Sequence, residues 1–351
     1  MKKIKSAITL LLTLLLTLTF LPAINTQAAE ESVVIDGVTY EIRSTTEKIA
    51  GATLSKDVKP QQDIHILSKI TYKGEVYKVV YFDFMTNNYE YTPKQVDYKD
   101  KGYNVKSGSW QAVLRKVVFD PEVDEILWDC VNYPNLEEVS FNLGHTDVNC
   151  FYNCPKLKKV SIGKSGNVPL IQRCPNVKIS IDPANPYYKT IGKDVYSKDG
   201  KVLYQVSSTK SKYRVRKGVT TIAEEAFMKN DYIKSLIISD TVKKIYGDAF
   251  TQMHNLTYVK FGRSMKEAPY NAFVRSKKLK TITYPANIKK INGNFGGRDL
   301  CGFKKIYINT KNLKSSNMKG IPKNCRIYVK NKSVKNRVRK NGFKGKIIIK
   351  K

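Results

Sequence analysis

The sequence predicts a repeat solenoid, in which short coils stack along one axis and present a parallel β-sheet on one face. One phrase occurs three times at a fixed interval: "EEAFMKNDYIKSLII" from Glu224, "GDAFTQMHNLTYVKF" from Gly247 and "YNAFVRSKKLKTITY" from Tyr270, each start 23 residues from the next. A strand-like pattern, L-x-x-V-x-I, recurs down most of the chain. The apolar letters of each copy have no partners inside their own copy, so they must pack against the next one.

The elements follow in chain order. Lys2, Lys3 and Lys5, the apolar run "AITLLLTLLLTLTFLPAI" and the small residues of "NTQAAEES" have the order of a secretory signal peptide, with cleavage expected after Ala28 or Ala29. The run reaches the lower end of the roughly 17–25 residues that span a bilayer, so a membrane helix is the competing reading. No cysteine is near enough for an N-terminal lipid. The final "GFKGKIIIKK" has no sortase-type signal, so a free or noncovalently held mature chain of about 320 residues is expected. Residues 30–112 are read as an N-terminal β cap, whose polar, tyrosine-rich part at 86–110 reads as an irregular loop.

The first array, 113–181, has leading residues Leu114, Leu136, Leu157 and Val177, spaced 22, 21 and 20 apart. A second array, 213–330, has Ile233, Leu256, Leu279 and Phe303, spaced 23, 23 and 24 apart, and ends in "CRIYV". These periods fall in the range of leucine-rich repeats. First, fourth and sixth residues of each pattern share the inward side only if a tight bend follows the first, because strand side chains alternate. Seven and six residues ahead of each leading residue stand Ala226-Phe227, Ala249-Phe250 and Ala272-Phe273, with Cys150-Phe151 in the same place before Leu157. A small residue beside a phenylalanine, repeated in register, predicts a core spine of stacked rings at roughly the 4.8 Å strand spacing. Ala226, Phe227, Ile233, Ala249, Phe250, Leu256, Ala272, Phe273 and Leu279 are therefore the expected core of the second array.

With these residues placed, "GVTTIAEEAF…LIISDTVKKIYGDAF…NLTYVKF" resembles the BspA-like leucine-rich repeat family of bacterial secreted and surface proteins, whose unit is V-x-x-I-G-x-x-A-F-x-x-C-x-x-L-x-x-V-x-I-P. The resemblance covers roughly residues 113–330. Segment 185–206 is similar to the β-hairpin island that interrupts such arrays, assigned here to 182–212, and 70–82 to the hairpin that opens them. Residues 331–351 are left as a basic C-terminal cap. Asn230, Met253 and Ser276 depart from the family's cysteine, and "NGNFGGRDLCGF" lacks the Ala-Phe pair.

Charge is unevenly distributed. The chain carries +32, and residues 201–351 alone hold 37 Lys and Arg against 7 Asp and Glu, a net of +30. Such a field attracts polyanions over about 8 Å at physiological salt. A solvated lysine-rich surface that keeps the array soluble is the plainer reading. Six cysteines (Cys130, Cys150, Cys154, Cys174, Cys301 and Cys325) fit no zinc spacing. Cys154 and Cys174 should lie near each other in adjacent coils, either bridged or as buried apolar fillers.

Catalytic patterns are absent. His65, His145 and His254 lack metal-ligand partners at helical or hairpin spacing, and His254 reads as solvent-facing. There is no phosphate loop and no nucleophile elbow. Asp194 and Asp199 belong to a hairpin turn rather than a calcium site. No cofactor and no metal are expected, and the chain is read as a non-enzyme.

Binding chemistry is better represented. Between the inward residues of the second array stand Lys234, Ser235, Ile237; Thr257, Tyr258, Lys260; Lys280, Thr281, Thr283; Lys304, Lys305, Tyr307; and Arg326, Tyr328. This basic ladder with interleaved tyrosines is the expected ligand face. The resemblance implies an adhesin or ligand-binding protein, secreted or noncovalently retained at the cell surface, with proteins of the envelope or host matrix as partners. Charge points to anionic polymers such as teichoic acid or glycosaminoglycan. Nucleic acid ranks last, because export removes the usual partner.

Overall fold

The structure is a computed structural model that describes residues 31–55, 57–84, 108–123, 125–126, 130–142, 151–270, 272–291 and 302–350. The signal segment, the loop at 86–107, His145, Cys150, Cys301 and most of "NGNFGGRDLCGF" lie outside them. No helix of the described residues is long and apolar enough to cross a membrane.

The chain winds into a parallel β-solenoid of about nine turns. Its first face-forming sheet has five parallel strands, in the order Lys178–Ile181, Lys159–Ile162, Glu138–Phe141, Lys116–Phe119 and Asp63–Ile66. The last lies inside the segment read as a cap. Ahead of the coils, Val38–Ser44 pairs antiparallel with Ser32–Ile35 and Ile49–Thr53, and Lys69–Tyr72 forms a hairpin with Glu75–Asp83. Lys73 and Gly74 turn that hairpin with φ of 49° and 80°.

Seven parallel strands form the second sheet: Lys212–Arg214, Ser235–Ile237, Tyr258–Lys260, Thr281–Tyr284, Lys305–Ile308, Arg326–Val329 and Lys346–Ile349. The last continues the sheet from the segment read as a C-terminal cap. It arrives through the helix Lys332–Lys340, which Asn331 caps by accepting the Val334 amide at 2.9 Å. Val334, Val338 and Phe343 bury against the final coil.

Between the two sheets Tyr188–Ile191, Asp194–Ser197 and Val202–Gln205 run antiparallel, and Val202–Gln205 then pairs parallel with Thr221–Ile222 of the next coil. This stretch divides the interior. Val195 is buried in one apolar core with residues from Val38 onward, and its neighbour Tyr196 in a second core reaching Ile347.

The expected core residues of the second array are all buried. Phe227, Phe250 and Phe273 form the spine, with ring centroids 5.3 Å apart at each step. Phe261 and Tyr284 make a second stack at 5.3 Å and 8°. The bend after each leading residue has a simple construction: two consecutive amides share one carbonyl of the preceding coil. Lys234 and Ser235 both donate to Ser211 O, Thr257 and Tyr258 to Lys234 O, Lys280 and Thr281 to Thr257 O, and Lys304 and Lys305 to Lys280 O. Two residues in succession then point outward, and alternation resumes.

A second turn recurs two residues after the phenylalanine, or after Ile171, which pairs with Phe151 in the phenylalanine's place. Asn153, Arg173, Lys229, Gln252 and Arg275 all adopt φ between 52° and 60°. Left-handed backbone costs non-glycine residues of order 1 kcal/mol, and coil-to-coil hydrogen bonds hold it, as from Lys229 N to Thr251 O (3.1 Å) and Gln252 N to Val274 O (2.8 Å).

Candidate interaction face

Strand register sorts the outward residues of the seven-stranded sheet into columns. Lys212, Ser235, Tyr258, Thr281, Lys305, Arg326 and Lys346 are successive partners in one, and Arg214, Ile237, Lys260, Thr283, Tyr307, Tyr328 and Ile348 in the other. Lys234, Thr257, Lys280 and Lys304 occupy the bend beside them and are exposed or half-buried. All fourteen residues expected at the face lie on this wall. Sequence reasoning missed Lys212, Arg214, Lys346 and Ile348, because "KYRVR" and "KIIIK" carry the strand alternation without a leading apolar residue.

Their chemistry differs within the set. Thr257 Oγ1 donates to Lys234 O at 2.9 Å and is committed to the scaffold. Tyr307 and Tyr328 lie ring on ring at 4.7 Å and 14°, with Lys350 Nζ 5.7 Å from the Tyr307 centroid. Cys325, at the edge of the wall, is buried, and burial pushes its thiol up to about 12 against the opposing influence of Lys304. Among the described residues no ion pair engages Lys234, Lys260, Lys280, Lys304, Lys305, Arg326 or Lys346.

The first sheet presents the same wall with different charge. Its outward column holds Asp63, Lys116, Glu138, Lys159 and Lys178. In its bend, Glu137 takes Arg115 at 3.2 Å and Lys158 at 3.1 Å, and the Lys158 hydrogen bond, with the two cations, holds its carboxyl below the usual range.

The remaining titratable groups serve the scaffold. Asp199 turns its hairpin by accepting from Ser197 Oγ (2.6 Å) and Lys201 N (2.9 Å), which lower its carboxyl to about 2. Burial raises Asp194 despite hydrogen bonds from Tyr213 Oη (2.6 Å) and Ser207 N (3.0 Å). His65 meets Asp120 at 2.8 Å. His254, expected to face solvent, keeps its side chain 42% exposed, with Nδ1 2.8 Å from Asp231. Cys154 and Cys174 are buried free thiols whose sulfurs lie 3.6 Å from Cys130 O and 3.2 Å from Gln172 O. A cleft where the arrays meet, lined by Gln172, Arg173, Lys229 and Tyr232 among others, encloses about 30 Å³. That is room for about one water.

Residues 89–174 and 200–325 match the family described as "BspA type Leucine rich repeat region", in six copies. The chain belongs to the BspA-type leucine-rich repeat family. No curated protein matches it significantly. Among solved structures it is similar to the pneumococcal vaccine antigen PcpA (16% identity, 93% of this chain and 100% of that one, TM-score 0.41). Others are a leucine-rich cell surface protein of Faecalibacterium prausnitzii A2-165 (15%, 89% and 98%, 0.39) and a leucine-rich repeat protein of Eubacterium ventriosum ATCC 27560 (13%, 91% and 85%, 0.42).

Membership explains the irregular positions. The BspA-type cysteine is a weak donor aimed at carbonyls of its own and the preceding coil, as Cys154 and Cys174 show. Where Asn230 replaces it, Nδ2 reaches Val206 O (3.2 Å) and Ser208 O (3.1 Å), and Ser276 Oγ reaches Phe250 O (2.9 Å). Asn230 and Ser276 keep the bond, whereas Met253 fills its place with a buried apolar side chain.

Proposed function

We propose that this BspA-type protein works by binding rather than catalysis, as an exported interaction protein that engages envelope or host-matrix components through the outward wall of its seven-stranded sheet. The carrying observation is that wall itself: outward columns continuous over seven strands, with no carboxylate in them and cations that pair with no acid among the described residues. The lysine, apolar and small-residue order of the first 29 residues supports export, either to the medium or to noncovalent retention on the cell surface. N-terminal sequencing of the extracellular chain checks this, with a start at Ala29 or Glu30 expected.

Exchanging Lys234, Lys260, Lys280 and Lys305 for Glu together, and screening the mature chain against matrix proteins, glycans and envelope polymers at low and high salt, tests the face. Loss of binding in the variant is the expected result. Undiminished binding removes the wall from the proposal.

A further inference from the structure

Resting on the binding role just proposed, we infer that the occupant of this wall is a linear sulfated polysaccharide laid across the strands along the solenoid axis. One wall occurs twice in the molecule with two charge patterns. On the first sheet Asp63, Glu137 and Glu138 interleave with the cations, and Glu137 bridges Arg115 and Lys158. On the second no acid is interleaved and every strand or its bend brings at least one cation, with Lys305, Arg326 and Lys346 consecutive in one column at roughly 4.8 Å, where like charges repel one another. A polyanion that follows the axis relieves that repulsion at every coil. Seven strands extend the track over roughly 29 Å, which calls for a long ligand rather than a compact one.

The composition argues against the other macromolecules. A protein partner needs an apolar, charge-poor centre, and the wall offers only the scattered Ile237 and Ile348 beside its tyrosines. Single-stranded nucleic acid stacks its bases on open aromatic faces. Here Tyr307 and Tyr328 cover each other and Lys350 sits over Tyr307, which leaves Tyr258, two strands away, rather than a run of open rings. Ser235, Thr281 and Thr283 form no side-chain hydrogen bond to another described residue, so their hydroxyls are available to sulfate and ring oxygens. A straight track also favours a stiff pyranose chain over a flexible polyol phosphate, which loses more conformational entropy on ordering.

The test measures binding of the mature chain to heparin between 50 and 200 mM salt. Lys260→Ala, Lys280→Ala, Lys304→Ala and Lys305→Ala are combined in one variant. A control variant combines Lys116→Ala, Lys159→Ala, Lys178→Ala and Lys164→Ala on the first array. At about fivefold for each of the four lost contacts, the first variant should bind about 600-fold more weakly. Its slope of log affinity against log salt should shrink by about 3, at about 0.7 per lost contact. The control should stay within about threefold of wild type. Equal losses in both variants, retained binding to desulfated heparin, or equal affinity for poly(glycerol phosphate) or single-stranded DNA overturns the inference. If heparin fails while a matrix protein still binds in a manner that depends on Lys260 and its neighbours, the glycan assignment falls and the interaction role stands. If neither binds, both fall.

Discussion

Asn230 shows how much a single buried amide can hold. It donates to two carbonyls, and its Oδ1 accepts the amides of Tyr232 (3.2 Å) and Ile233 (3.3 Å). Asn230→Ala orphans these groups, at about 1–3 kcal/mol for a buried polar group left unpaired; urea midpoints should show the loss, and Asn230→Ser should recover part of it. Two aspartates give opposite pH signs. Asp120 is held below its usual range: burial opposes this, and the Ser68 amide and His65 outweigh it. Its contribution is present above about pH 4 and lost as pH falls, so the gap between wild type and Asp120→Asn should close in acid. Asp194 is raised by burial. Its contribution is present below about pH 4 and lost as pH rises, so wild type should lose stability relative to Asp194→Asn as pH rises above about 4. Denaturation at three pH values checks both slopes.

At the scale of the coil, spacing between neighbours is set by backbone contact. A Cβ on Gly262 would lie 2.0 Å from Ser239 O, a backbone atom of the preceding coil that cannot swing away. Gly262→Ala should cost about 1–3 kcal/mol, the usual range for overpacking, read as a lower melting temperature; Lys260→Ala, two residues before, should stay within about 0.5 kcal/mol. The coil was legible in the sequence because its signals are periodic. Ala249, Phe250, Leu256, Val259 and Phe261 announce their burial by recurring at one interval. What stayed hidden lacks a period. The strand Asp63–Ile66 precedes any leading leucine, and Lys346–Ile349 follows a helix that no repeat contains. The left-handed positions were hidden as well, since Asn153, Lys229 and Gln252 share a backbone conformation but neither one charge nor one side-chain type. The face could be read only as a set of residues: alternation says which side chains point outward, but not which of them, like Thr257, are already bonded to the scaffold.

The whole molecule has two cores that meet at adjacent residues, Val195 and Tyr196. A stack in which each coil touches only its neighbours is cooperative only as far as its interfaces are strong. Across the divide most side-chain links are polar or cationic, among them Ile171 N to Gln205 Oε1 (3.1 Å), Tyr213 Oη to Asp194 (2.6 Å), Arg173 to Asp231 (3.5 Å) and Lys229 Nζ over the Tyr152 ring (4.6 Å), with an edge contact of Tyr188 on Tyr204 (5.2 Å) and Ile191 against the second core beside them. Two unfolding steps are therefore expected. Both tryptophans, Trp110 and Trp128, belong to the first half, so their fluorescence should follow one step while far-ultraviolet circular dichroism follows both. Coincident curves would show a single cooperative unit. Tyr152→Ala should separate the steps further.

The doubled bend has one more consequence, for how such a surface can change over generations. Its two outward residues hold the coil chiefly through backbone amides and carbonyls, with Thr257 Oγ1 adding a side-chain bond of its own, so most amino acids other than proline meet the structural requirement there. Scaffold and surface are thereby inherited under separate constraints. A duplicated coil arrives with its interior complete and its exterior free to drift, and a new ligand can be acquired one substitution at a time without risk to the stack beneath.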